Sequence, residues 1–403
     1  MRSTAGNTRE YLPPPTERST ILGWLHKNLF STWFNALLTV FFSGLVLVVV
    51  KGLLSWLINT ADWEVIQANF RLFMVGQYPV DQLWRLWLGL YVLGLLAGLG
   101  WGIWVSQRPI LGGSILVGIL LIAFLFPFDA SSRLRLATLV ALAYLGYILG
   151  RARPKLLRRV TLISLFLYFP LFMLLTRGLS SDNAVLPQVT SNFWGGLLLT
   201  FLLTFVGIFV SFPIGVLLAL GRRSRLGIIR TFCITYIEFV RGVPLITVLF
   251  MAQVMLPLFL PANLTIDRVL RAMAGIVLFS AAYLAENVRG GLQAIPKGQY
   301  EAADSLGLNG FQTTVLIILP QALRLVIPIL VGQFISLFKD TTLVAIVGLL
   351  ELLGIGRAVL AQPDFIGLQI EVYTFISLLY WIFSYAMSYA SQRLEGMLGV
   401  GQR

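Results

Sequence analysis

One cysteine and one histidine stand in 403 residues. Cys233, alone, can close no disulfide within the chain. With His26 placed ahead of the first apolar run, there is no ligand set for a structural zinc or a multi-histidine centre. Charge is scarce too. Charged residues are 12% of the chain, about half of what a globular domain uses to cover its surface. That leaves the 58% of hydrophobic residues with too little polar cover for a soluble fold. No GxxxxGKS or GxxxxGKT sequence occurs, and Lys297–Gly298 has the order reversed without a glycine loop before it. A chain lacking that phosphate cradle does not hydrolyse ATP itself. A nucleophile or acid–base cluster is equally hard to assemble from one His and one Cys, which makes a membrane-embedded enzyme a poor reading.

What the chain has instead is long apolar runs, repeated from end to end. Since roughly 20 residues cross the hydrocarbon core, they predict an all-α polytopic membrane protein with about ten spans. These lie near 33–58, 84–105, 110–127, 133–150, 157–176, 193–220, 243–260, 272–289, 313–337 and 370–390. The formal net charge of +13 does not point to nucleic acid, because the basic residues sit in short segments between apolar runs. RARPKLLRR (151–159) and GRRSRLGIIR (221–230) are the clearest. Kept on one side, they place both termini in the cytoplasm. Residues 1–29, with Pro13, Pro14 and Pro15, are expected to be a disordered cytoplasmic tail rather than a cleaved signal.

The stretch 228–260 is too long for one span, and Glu238, Arg241, Gly242 and Pro244 interrupt it. A short interfacial helix, a break, then a span is the expected solution. Residues 341–368, with Glu351 inside a short apolar run, are expected to form an external, partly membrane-dipping helix. The chain then divides into the tail 1–29, an accessory module of five spans (30–189), and a five-span unit (190–403). Polar groups at membrane depth concentrate after residue 190, and such groups are costly and usually functional.

GQYEAADSLGLNGFQTTVLIILP (298–320) gathers polar residues in an otherwise oily chain. Pro296 is suited to start a helix, with Glu301 and Asp304 expected near its positive end. Ala302, Ala303 and Leu306 favour helix, and Gly307 allows a left-handed stop. The loop 290–320 is therefore expected to be a helix–Gly–helix elbow with a narrow alanine face.

Glu301-Ala302-Ala303, three residues, Gly307, nine residues, Ile317, one residue, then Leu319-Pro320 matches the EAA loop of ATP-binding-cassette (ABC) importer permeases at each spaced position. FWGGLLLTFLLTFVGIFVSFPIGVLLALGRRS (193–224), YIEFVRGVPLITVLFM (236–251) and LFKDTTLVAIVGLLELLG (337–354) resemble the polar amino-acid branch of that family. The extra N-terminal spans and DWEVIQANFRLFMVGQYP (62–79) resemble the M-type permease subunits of general L-amino-acid importers. The resemblance implies a type I permease core in 190–403 and import of polar L-amino acids across the bacterial inner membrane. It implies that Glu301, Ala302, Ala303, Asp304 and Gly307 couple to a cytoplasmic ATPase dimer. It also implies a second homologous permease and a periplasmic amino-acid-binding protein as partners. ATP and Mg would be used by the ATPase, with no cofactor in this chain.

Within the spans, Glu286 is a candidate for a zwitterion's ammonium, or an ion pair with Arg289 or a neighbouring helix. Arg241 faces a substrate carboxylate or anchors the interface, with Glu238 three residues back as a ready partner. Gln333 and Ser336 bond substrate or join helices. Lys339, Asp340, Thr341 and Thr342 shape an outer gate, contact the delivering protein, or are a solvated helix end. A secondary, ion-coupled transporter is the alternative, but it calls for an inverted repeat and midplane carboxylates.

Overall fold

A computed structural model of the chain describes residues 21–104, 118, 130–179, 186–261 and 264–398. The expected span at 110–127, Gly118 apart, lies outside the described residues, as does the tail 1–20. Among the described residues there is no strand, and Gly196 and Glu351 form an isolated bridge. Eight helices are long and apolar enough to cross a membrane, and a bent pair makes a ninth. The chain divides into two compact units, 1–63 and 64–403.

In the first unit, α1 (Ile21–Leu29) precedes α2 (Trp33–Ser55), which a π-turn extends to Thr60. The sequence reading made residues 21–29 part of a disordered tail, and here they are helical. Ile21, Trp24 and Leu25 recur at helical spacing and give α1 an apolar side, which the proline-rich segment before it lacks. Thr32 caps α2 by accepting from the Asn35 amide.

The second unit opens with α3 (Glu64–Val75), α4 (Leu83–Trp104), α5 (Ala130–Ala152) and α6 (Pro154–Arg177). α4 and α5 share the most extensive helix contact in the molecule. Gly98 and Gly102 lie on the α5 backbone at Ala143 and Tyr147, and Gly146 and Gly150 lie on the α4 backbone at Leu95 and Leu99. A Cβ on Gly98 would fall 2.0 Å from the Ala143 carbonyl oxygen. Small residues four apart on both helices allow this approach, the usual way for apolar helices to gain contact where lipid offers no hydrophobic drive.

The rest is α7 (Gly196–Gly221), α8 (Gly227–Gly242), α9 (Leu245–Phe259), α10 (Arg268–Gln293), α11 (Lys297–Ser305), α12 (Gly310–Ala345), α13 (Leu352–Leu360) and α14 (Gln369–Leu398). α10 is the hub. It packs on α7, α8, α9 and α12, and 61% of its most apolar window is buried, against 17% in α14. Leu199, Leu203, Ile276 and Leu337 centre one core cluster; Ala219, Ile237, Leu284 and Ile318 centre the other. α8 and α9 diverge by 105° at Val243–Pro244, where the sequence places a break. Inside α12, Pro320 follows a π-turn at Thr313–Ile318 and stands in the first turn of the α-helical part, where its missing amide costs least. α13 has nine residues, too few to cross a bilayer.

Candidate functional site

The elbow is built as its residue types dictate. α11 starts after Pro296, whose fixed φ leads into the first turn. It ends in a Schellman motif: the Leu308 amide donates to the Ala303 carbonyl at 3.1 Å and the Gly307 amide to the Asp304 carbonyl at 2.9 Å. Gly307 has φ +73°, and nothing lies within 4 Å of a Cβ placed there, so backbone conformation alone demands glycine. Asn309 and Gln312 then form a reciprocal capping box that opens α12.

Tyr300 packs on the second core cluster and Ala303 is 3% exposed on the same face. Glu301, Ala302 and Asp304 face outward. Leu306 and Phe311 are 78% and 76% exposed beside them. One expectation is corrected. Glu301 and Asp304 do not sit at the positive end of α11, because the helix already begins at Lys297 and Asp304 falls in its last turn. A carboxylate there opposes the helix dipole. Among the described residues neither is held by an ion pair. Helix stability therefore does not account for them.

Behind the elbow, five charged residues from three helix segments converge. Glu286 on α10 pairs with Arg289 on its own helix, with Arg222 just past α7 at 3.4 Å, and with Arg241 on α8 at 3.7 Å. Arg222 also holds Glu238 at 2.9 Å. Arg241 thus meets Glu286, and its expected neighbour Glu238 goes to Arg222. The Arg241 guanidinium also lies 5.6 Å over the Tyr283 ring. Arg222 escaped the sequence reading because it sits in a basic run that resembles a solvated loop. Its partner Glu286 is 64 residues away in sequence.

Gln333 accepts from Asn287 Nδ2 at 2.6 Å and donates to the Ser280 carbonyl at 3.0 Å, so in this structure it joins α12 to α10. Ser336, Lys339, Asp340 and Thr341 lie at the far end of α12. Ser336 hydrogen-bonds Asp340, Thr341 is fully buried, and Lys339 is exposed. The sequence candidates therefore fall into two groups, one around Glu286 with Gln333 beside it and one from Ser336 to Thr341 further along α12.

Glu351 is the group whose weight was not visible in sequence. It is 0% exposed, and its carboxylate accepts from the Leu353 and Gly354 amides, both at 2.9 Å, and from the Tyr380 hydroxyl at 3.1 Å. It caps α13 at the end of the unit away from the elbow. Burial pushes its carboxyl above the usual carboxylate range, partly offset by these donors and by Arg357. Beside it the Leu352 amide donates to Thr200 on α7, and the Gly196 amide to the Leu350 carbonyl.

Residues 211–395 match the family of binding-protein-dependent transport system inner membrane components, and the match contains both the elbow and the arginine cluster. The chain is 40% identical over 390 residues to the inner membrane amino-acid ABC transporter permease protein YhdY of Escherichia coli, covering 97% of this chain and 96% of the relative. This chain belongs to the ABC transporter permeases. It is also 37% identical to the glutamate/glutamine/aspartate/asparagine transport system permease protein BztC of Rhodobacter capsulatus, over 96% of this chain and 95% of that one. A solved amino acid ABC transporter with histidines matches 50% of this chain and 92% of its own at 28% identity, with a TM-score of 0.46. The permease is a multi-pass, all-α membrane component of a transporter, and nothing points to an ion-coupled mechanism.

Proposed function

We propose that this permease carries polar L-amino acids inward across the bacterial inner membrane, driven by ATP hydrolysed on a separate subunit. The observation that carries the reading is the elbow. A short helix closed by a Schellman stop presents an unpaired Glu301, a bare Ala302 and, beyond its end, two exposed apolar side chains, Leu306 and Phe311. A small-residue face rimmed by carboxylates suits a cleft on another protein, with charge setting partner choice. The polar amino-acid class is supported by the two relatives matched over nearly their whole length, both named as amino-acid permeases or transport-system permeases.

The elbow and both termini lie on the cytoplasmic side, following the basic segments at 151–159 and 221–230. Two ATPase subunits, using ATP and Mg, engage α11 here and its counterpart on a second permease. A periplasmic binding protein delivers substrate at the far end. Closure of the ATPases moves α11, and α7, α10 and α12, which share the core cluster that Tyr300 packs on, move as a body. Glu301, Ala302 and Asp304 offer this contact from exposed positions. Ala303, expected on the same face, is buried against the core, and with Gly307 it sets the seat and the stop of α11. Glu286, Arg241, Gln333, Ser336, Lys339, Asp340 and Thr341 flank the path along α10 and α12.

The test is reconstitution of the permease with the ATPase, second permease and binding protein encoded beside it. Expected are co-purification and ATP hydrolysis that rises with a polar amino acid on the binding protein. Uptake that follows an ion gradient without ATP would sink the reading.

A further inference from the structure

α7 ends at Gly221, and the next two residues are arginines that part company. Arg222 turns into the charged cluster, to Glu238 and Glu286. Arg223 turns to the elbow. Its Nη1 donates to the Tyr300 hydroxyl at 3.1 Å, and its guanidinium carbon lies 5.8 Å from the centre of the Tyr300 ring. One side chain therefore makes both a hydrogen bond and a cation–π contact to α11. Tyr300 is seated on the second core cluster through its other face. On the opposite flank, Gln321 of α12 donates to Gln299 at 3.1 Å. The first turn of α11 is thus tied on one side to α7 and on the other to α12.

We propose that the Arg223–Tyr300 pair is a positioning latch through which movement of α11 reaches α7. Because Arg222 is the adjacent residue, a pull on Arg223 is passed on to Glu286 of α10 and Glu238 of α8. The latch rests on the reading of α11 as the ATPase contact, and names the route by which that contact is felt in the membrane. A rigid helix on a loose tether would let the ATPases close without turning the spans. Tyr300 and Ala303 pack inward while Glu301 and Ala302 are exposed, so the tether does not cover those two residues.

The test measures ATP hydrolysis and amino-acid uptake on the same proteoliposomes holding the full transporter. Arg223→Ala and Tyr300→Leu are expected to keep ATPase binding while substrate moved per ATP falls by about fivefold or more, as loss of a hydrogen bond plus a cation–π contact allows. Tyr300→Phe keeps the ring, and Arg223→Lys keeps the charge, so each is expected to recover part of the ratio. The double variant Arg223→Ala/Tyr300→Leu is expected to be no worse than the poorer single variant, because the two act as one contact. Arg223 is exposed, so its variant remains informative if Tyr300→Leu fails to assemble. An unchanged ratio in Arg223→Ala, or losses that add in the double variant, would overturn the latch. If Glu301→Lys still blocks uptake in that case, only the latch has failed. If Glu301→Lys transports normally, the docking reading itself has failed.

Discussion

The two ends of the permease core treat their carboxylates in opposite ways. At the elbow end Glu301 and Asp304 are exposed and unpaired, and Glu286 is shared among three arginines from different segments. At the far end Glu351 is sealed from solvent and satisfied by two amides and a hydroxyl. One arrangement leaves charge to be met by a partner and links segments through side chains that can re-pair. The other fixes a helix start by backbone hydrogen bonds, which have no alternative partner. On the proposed function, the elbow end is the part that is gripped and moved, and the far end the part that holds still.

The largest effect is expected at the exposed end. Glu301→Lys should insert and fold normally yet abolish uptake, since reversing a charge in a desolvated contact costs about 2–5 kcal/mol of binding. Vesicle uptake beside a thermal unfolding curve checks both halves, and unfolding at lower temperature would blur the contrast between the ends. Next is Glu351→Ala, which strips a helix cap and strands two amides and a hydroxyl in the interior. It should cost about 2–4 kcal/mol of stability, read as a lower midpoint in detergent. Uptake by the surviving folded protein should change little.

A smaller effect is expected from Gly307→Val. A β-branched residue at φ +73° costs about 1–3 kcal/mol of local strain although its side chain meets open space. Expression should persist while ATP hydrolysis uncouples from uptake. Smallest is a pH effect at the sealed end. Glu351 binds its proton more tightly when folded than unfolded. The associated stability is fully present below the ordinary carboxylate pKa of about 4.3 and is lost as pH rises through the folded value. Unfolding midpoints across that range should fall for the native protein relative to Glu351→Gln, which has no proton to lose. Parallel curves would show that Glu351 does not titrate as its burial requires.

Much of this contrast was legible in sequence at one end only. The elbow announced itself because proline, alanine and glycine each restrict the backbone locally, so Pro296, Ala302, Ala303 and Gly307 fix a helix and its stop without help from the fold. The break at Gly242–Pro244 was legible for the same reason. Glu351 was not: its short apolar run reads as an external, partly membrane-dipping helix, which does not say where the carboxylate goes. Only the approach of Gly196, Thr200 and Tyr380, from residues distant in the chain, buries it. The Arg222–Glu286 pairing was hidden likewise, since charge patterning marks which side of the membrane a loop lies on but not which partner it finds. The direction of Glu301 and Asp304 along α11 was misjudged because the helix start at Lys297 is set by Pro296 alone.

Cross-linking tests the central claim, that α11 is the surface gripped by the ATPase, most directly. The sole native cysteine, Cys233, is buried, so Ala302→Cys places one reactive thiol on the exposed face of the elbow. With a thiol-to-amine cross-linker of short reach, the reconstituted transporter should yield a permease–ATPase adduct that forms at different rates with and without ATP. The same substitution at Thr342, at the far end of α12, should yield none. An Ala302→Cys protein that transports normally and gives no adduct in either state would contradict the account.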